Sequence, residues 1–363
     1  MKRAPWIGWV LWLAAAVVPS QADCPDGPVG PDPRAEARFA SLKVVKAYLQ
    51  KRPEADDNGD GRLTPTEVFY VRSTSGIDSA AGREALELLR AAYRPVPIDE
   101  SRIYGPSEGK KIKLFILSGQ SNMAGAGLSS ELPQETVLGC DRLLMFHNGK
   151  WQPLRPLHPT FGPEIAFGYA MAKAWPDETV GIVKLARGGT GILAWRPQWT
   201  RDRADLTGDG PKGNLWKKLT DKVKAARASA NCEVMGFIWQ QGGKDMIKLE
   251  IGKQYLDNLK ALTEGLRRET GVTDLPLVLG SYRLPDIPDD LSDFDPSSYG
   301  AIMGRPGAAY VLKAQFDAQA ALSPARMIPL RGLPTHKRNV HYDTRGQLML
   351  GNLLANGYLE LVK

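Results

Sequence analysis

A chain of 363 residues with 43% apolar and 24% charged residues has the composition of an ordinary globular protein, long enough for one large domain with a small addition or for two domains. The formal charge is +7, but the basic residues are scattered with no run of five or more, so a solvated surface is read in place of a nucleic-acid-binding one. A mild attraction to acidic polysaccharides is compatible with that balance.

Residues 1–22 read as an export signal. Lys2 and Arg3 are followed by an uncharged apolar run from Trp6 to Val18, and Ser20 and Ala22 are the small residues a signal peptidase requires. That run is 13 residues, shorter than the roughly 18 that span a bilayer. The mature chain is therefore expected to be secreted or periplasmic, without stable membrane insertion. Export permits a disulfide, and of Cys24, Cys140 and Cys232 the pair expected is Cys140 with Cys232, because Cys24 lies beside the new terminus.

Residues 35–95 are read as a small helical domain, with a helix over 35–50 whose Phe39, Leu42, Val45, Tyr48 and Leu49 share a face, a short helical stretch, and a longer one over 80–93. Between the first two lies Asp56-Asp57-Asn58-Gly59-Asp60-Gly61-Arg62-Leu63-Thr64-Pro65-Thr66-Glu67. Asp56, Asn58 and Asp60 fall at positions 1, 3 and 5 of a calcium loop. Gly61 supplies the turn at 6, Arg62 a carbonyl at 7, and Glu67 a bidentate carboxylate at 12. One EF-hand-like loop holding a structural Ca2+ is expected. The similar run from Asp205 to Gly210 has Trp216 at its twelfth position and is read as a plain surface turn.

Residues 96–110 read as a linker, and the pattern changes at 111. Apolar runs at 112–117, 180–185, 234–239, 277–281 and 327–330 alternate with amphipathic segments at 164–174, 215–229, 254–268, 308–321 and 344–361. This alternation predicts an α/β domain over 111–363 with a parallel sheet covered on both faces. Catalytic groups are then expected just after strands. Trp195 and Trp239 are read as core, and Glu164 as a dipole-complementing residue at a helix start.

Three strand ends and one late loop carry chemistry. The first ends in Gly119-Gln120-Ser121-Asn122-Met123-Ala124-Gly125, the second in Arg187-Gly188-Gly189-Thr190-Gly191, and the third in Trp239-Gln240-Gln241-Gly242-Gly243-Lys244-Asp245. The loop is Asn339-Val340-His341-Tyr342-Asp343. A serine at a strand end, with adjacent backbone N–H groups, is placed as a nucleophile. Met123 breaks the Gly-x-Ser-x-Gly pattern of the α/β-hydrolase elbow.

Together these four motifs resemble the SGNH-hydrolase superfamily, and more narrowly its sialate O-acetylesterase and acetyl-xylan esterase branch, over roughly residues 112 to 361. The resemblance implies a flavodoxin-like three-layer α/β/α sandwich and acyl transfer from an acetylated carbohydrate without a catalytic cofactor. It implies Ser121 as nucleophile and His341 as base. The oxyanion hole it implies comprises the N–H groups of Ser121 and Gly189 and the side-chain amide of Gln241. The sequence departs from that branch at the acid: Gly243 and Arg338 occupy the two usual places. Three readings stay open here: a Ser121–His341 dyad oriented by a carbonyl or water, a substitute acid in Asp245 or Asp343, or a weak or inactive protein that binds glycans on the hydrolase fold.

Overall fold

The computed structural model describes residues 24–363 apart from 77, 94, 96, 99, 100, 107, 108, 283–286, 289 and 338. The export segment over 1–22 and Arg338 therefore lie outside the described residues.

Seven strands form the main sheet: β1 Ile112–Gly119, β2 Leu143–His147, β3 Lys150–Pro153, β4 Thr179–Ala186, β5 Cys232–Gln240, β6 Leu277–Tyr282 and β7 Ala325–Leu330. Their order is β3-β2-β4-β1-β5-β6-β7. All neighbours are parallel except the β2–β3 hairpin, which the apolar pattern did not reveal. Without that hairpin the order runs second, first, third, fourth, fifth, the flavodoxin-like arrangement expected.

Side-chain alternation along β1 explains why the sheet is buried on both sides. Ile112, Leu114 and Ile116 enter one core and Phe115 and Leu117 the other, all fully buried. Helices Leu215–Ser229, Tyr255–Thr270 and Ala308–Ala321 cover the first face through residues such as Leu219, Leu262 and Val311. Helices Glu164–Ala174 and Thr344–Leu361 cover the second through Phe167, Leu354 and Tyr358. Each such side chain contributes about 1.5–3 kcal/mol on burial. Trp195 and Trp239 are core residues, wholly buried and packed edge to face with centroids 5.6 Å apart. Among the described residues no helix is long and apolar enough to cross a membrane.

The amino-terminal part is helical: Ala35–Ser41, Lys43–Lys51, Pro65–Thr74 and Ala80–Ala92. The single helix expected over 35–50 is broken at Leu42, whose ψ of 134° is extended. The break brings both Phe39 and Val45 into one small core with Leu63, Val68 and Leu88. That core also takes in Ala126 and Leu128, which follow the Ser121 segment. The two parts are tied further by a hydrogen bond from Tyr93 Oη to the Pro156 carbonyl (2.7 Å) and by the disulfide Cys24–Cys140, with Cα atoms 5.1 Å apart. This corrects the expected Cys140–Cys232 pairing. Cys232 opens β5 inside the sheet, beside Ile112 of β1, and is a free thiol whose pKa burial pushes up to about 11.

Candidate active site

β1 delivers its last residues against the end of β5. Gly119 has φ +150°, and a Cβ there would lie 2.1 Å from the Gln240 carbonyl oxygen, so only glycine lets the two backbones approach this closely. The chain then turns into the one-turn helix Ser121–Ala124, anchored by Gln120 N–H donating to Gln240 O (3.0 Å). Ser121 stands at the first helical position, and its N–H has no acceptor among the described residues. Beneath the turn, Lys184 donates to Ala124 O (2.9 Å) and pairs with Glu164, which also accepts from Gly162 N–H (3.1 Å). Glu164 thus does more than complement a helix dipole. It neutralises the buried ammonium that props the Ser121 turn.

β4 ends beside β1, and the following glycine turn is locked by buried polar groups. Gly189 is left-handed, at φ +63°. Lys212 Nζ donates to Gly189 O (2.6 Å) and pairs with Asp209, whose other oxygen accepts from Gly191 N–H (2.7 Å). Asp209 is fully buried, which corrects the reading of 205–210 as a plain surface turn. Asp245 accepts from Ile192 N–H (2.9 Å) and from the Gln241 amide. Burial raises the Asp245 pKa to about 7 against the pull of those two donors.

Gln241 departs from its expected place. It is wholly buried, donates to Thr190 O (2.8 Å) and to Asp245, and accepts from Tyr255 Oη (3.0 Å). Both amide hydrogens are used inside the protein, so the expectation that they face an oxyanion is corrected. The bond to Thr190 holds the turn whose Gly189 N–H has no acceptor among the described residues.

His341 lies on a short hairpin closed by a Thr335–Tyr342 bridge and by His336 N–H donating to His341 O (3.0 Å). Asn122, the neighbour of Ser121, grips this hairpin on both sides of the histidine. Its Nδ2 donates to Val340 O (3.3 Å), and its Oδ1 accepts from Tyr342 N–H (3.2 Å). Asn339 Oδ1 accepts from the His341 backbone N–H (3.1 Å) and lies 2.7 Å from His341 Nδ1. The backbone bond fixes that atom as an acceptor, so Nδ1 carries the proton and Nε2 is left bare. Burial, then His336, then Arg72 lower the pKa of His341, keeping the imidazole neutral near pH 7.

The orienting group is therefore Asn339, which the sequence reading missed. Of the two expected substitutes, Asp245 belongs to the glycine-turn network, and Asp343 caps helix Thr344–Leu361 through Gly346 N–H (2.8 Å). The signal was present two residues before His341, but an amide there has no distinctive spacing.

Ser121, Gly188, Asn339 and His341 line one cleft of about 530 Å3, with no direct hydrogen bond between Ser121 and His341 among the described residues. Helix Pro65–Thr74 also lines the cleft, contributing Phe69 and Arg72. Phe69 stacks on His336 with centroids 4.1 Å apart. Lys337, on the histidine hairpin, pairs with Asp57 of the calcium-type loop.

The loop from Asp56 to Glu67 is tightly turned. Gly59 and Gly61 are left-handed, and Asp56, Asn58 and Asp60 each accept backbone N–H bonds of 2.8 Å within it. Glu67 forms a capping box with Thr64 and accepts from Asp57 N–H (3.2 Å). Among the described residues no three of His, Cys, Asp and Glu converge so as to hold a metal ion.

A mostly parallel α/β sandwich that gathers a serine, a histidine and free backbone donors around one cleft has the parts of a hydrolase site. Residues 111–360 match the family model described as carbohydrate esterase, sialic acid-specific acetylesterase, and the chain belongs to that family. It is a carboxylic ester hydrolase, a carbohydrate O-acetylesterase. A probable carbohydrate esterase of Arabidopsis thaliana is 25% identical over 287 residues, 72% of this chain and 95% of that protein. A solved Arabidopsis thaliana structure shares the fold with a TM-score of 0.53 at 23% identity, over 69% of this chain and 98% of the other. A carbohydrate acetylesterase of Xanthomonas citri aligns with a TM-score of 0.47 at 19% identity, over 69% and 56% of the two chains.

Proposed function

We propose that acetyl groups leave the carbohydrate through an acetyl-enzyme on Ser121, with His341 as base and Asn339 as its orienting residue. The observation that carries this reading is that Asn339 Oδ1 accepts from both the backbone N–H and the Nδ1 of His341, which leaves Nε2 bare on a residue that lines the same cleft as Ser121. Ser121 Oγ attacks the acetyl carbonyl as His341 Nε2 takes its proton. The N–H groups of Ser121 and Gly189 receive the developing oxyanion, each such donor being worth about 3 kcal/mol. His341 then protonates the departing sugar oxygen, and a water activated by the same nitrogen releases acetate. Gln241, Asp245 and Asp209 hold the Gly189 turn. The presence of an orienting acceptor favours this reading over a glycan-binding protein without activity. Acetate release by the purified protein, set against the Ser121→Ala chain, is the test, and equal rates would end it.

We propose further that the chain is exported, the Cys24–Cys140 disulfide being the supporting feature. Protein recovered outside the cytoplasm should begin at Asp23, and a mature chain still carrying Met1 would reject this.

Calcium is proposed as a structural ligand of the loop from Asp56 to Glu67. The turn geometry supports it, and Glu67 would have to leave its capping box to complete the ligand set. If the site fills, a hundredfold excess of calcium over its dissociation constant adds about 2.7 kcal/mol. Chelation should then lower the melting temperature by several degrees. No shift, together with no calcium by elemental analysis, would reject the site.

A further inference from the structure

We propose that His336 is a positioning residue for the esterase reaction: its ring ties the Ser121 segment to the His341 hairpin, and Phe69 of the amino-terminal part holds that ring in place. This rests on the roles read for Ser121 and His341, and it brings a residue from outside the region that matches the family model into the reaction.

Ser121 and His341 share a cleft but no direct hydrogen bond among the described residues, so their spacing is set by what joins the segments that carry them. Asn122 joins them through its bonds with Val340 O and Tyr342 N–H. His336 joins them a second time. Its Nε2 stands 2.8 Å from the carbonyl oxygen of Ala126, which follows the one-turn helix Ser121–Ala124. A carbonyl can only accept, so Nε2 carries the hydrogen. The backbone of His336 closes the hairpin as well. Its N–H donates to His341 O and its carbonyl accepts from Asn339 N–H, each at 3.0 Å. One residue thus meets the serine segment, the base and the residue that orients the base.

Phe69 comes from helix Pro65–Thr74, and its ring stacks on the His336 imidazole with centroids 4.1 Å apart and planes 25° from parallel. Phe69 and Ala126 belong to the same small core, so helix, ring and serine segment are packed together. His336 is only 2% exposed, and its Nδ1 has no partner among the described residues. A buried nitrogen without a partner carries its full desolvation cost. An apolar ring of similar shape would avoid that cost and keep the stack. What the imidazole adds at this place is the bond to Ala126. Proton transfer from Ser121 to His341 is sensitive to spacing, a misplacement of about 1 Å being enough to slow such a step roughly a hundredfold.

The experiment measures kcat and KM for acetate release from an O-acetylated methyl glycoside in native protein, H336F, H336Q and H336N, with melting temperature as the check on folding. H336F keeps a flat ring against Phe69 but has no donor. Its kcat should fall about tenfold to a hundredfold while KM stays within about threefold of native. Glutamine places its amide nitrogen where the imidazole Nε2 stands, and asparagine places it where Nδ1 stands. H336Q should therefore recover most of the lost kcat and H336N should not, whatever the order of their melting temperatures. F69L should lower kcat as well, and the double variant F69L/H336F should be no slower than H336F, because Phe69 acts through the imidazole. A native kcat in folded H336F, or equal kcat in H336Q and H336N, overturns the role of His336. If H336F does not fold, the contrast between H336Q and H336N decides. Losses that multiply in the double variant overturn the role of Phe69. If the Ser121→Ala chain keeps its rate, the reading of Ser121 and His341 fails by itself, and nitrogen NMR of the histidine rings then decides. Native protein should show the hydrogen on Nε2 of His336 and on Nδ1 of His341, and H336F or H336N should show mixed tautomers at His341. An unchanged His341 tautomer in those variants overturns the assignment.

Discussion

The Ser121→Ala chain should release acetate about 10^4-fold or more slowly than the native chain, the scale expected when the nucleophile of a serine–histidine pair is removed. The loss should be almost wholly catalytic. Ser121 Oγ makes no hydrogen bond to another described residue, so its removal leaves no buried group unpaired. The turn that carries it is held by Gln120, Asn122 and Lys184, none of which needs the hydroxyl. Melting temperature should therefore stay within a degree or two of native while the rate collapses. A rate within tenfold of native would remove Ser121 from the mechanism.

His341→Ala should cost a comparable factor, roughly 10^4 in kcat, since the proton then has no acceptor in reach. Asn339 allows a finer test of the same pair. Asn339→Ala frees the ring to rotate and to change tautomer, with an expected loss of about tenfold to a hundredfold. Asn339→Asp keeps an acceptor at that place and adds a negative charge, which raises the His341 pKa. The sign of the pH effect follows. The base works only when neutral, so activity is present above the His341 pKa and lost below it. Native protein, with that pKa held down by burial, His336 and Arg72, should keep its activity below pH 6.5. In Asn339→Asp the acid limb should move to higher pH, with the plateau rate retained. An acid limb in the same place in both chains would show that Asn339 does not touch the titrating group.

The same lowered pKa links to stability. Burial holds both His336 and His341 below the ordinary histidine value. The unfolded chain therefore binds more protons than the folded one as pH falls through that range, and stability falls with it.

Much of the fold was written locally. The strands at 112–119 and 179–186 and the helices at 164–174, 215–229, 308–321 and 344–361 follow from apolar period and end signals, because each element must bury its own stripe. The β2–β3 hairpin escaped, since Leu143-Leu144-Met145-Phe146 reads as easily as part of a helix as a buried strand. Ser121, Gly189 and His341 were legible through short motifs whose glycines and strand-end positions constrain the backbone directly.

What the sequence by itself determined is the set of groups that can do chemistry, because side-chain type and strand-end position are properties of neighbouring residues. What only the tertiary structure decided is which of them meet. Asn339, not Asp245 or Asp343, orients the imidazole. Gln241 is spent on Thr190 and Asp245 behind the turn. Cys24, not Cys232, reaches Cys140, and a helix from the amino-terminal part brings Arg72 to the cleft. Each of these is a contact between residues far apart in the chain or a choice among several acceptors within reach. Such choices are made by packing and by the cost of leaving a buried polar group unpaired, and no local pattern records either.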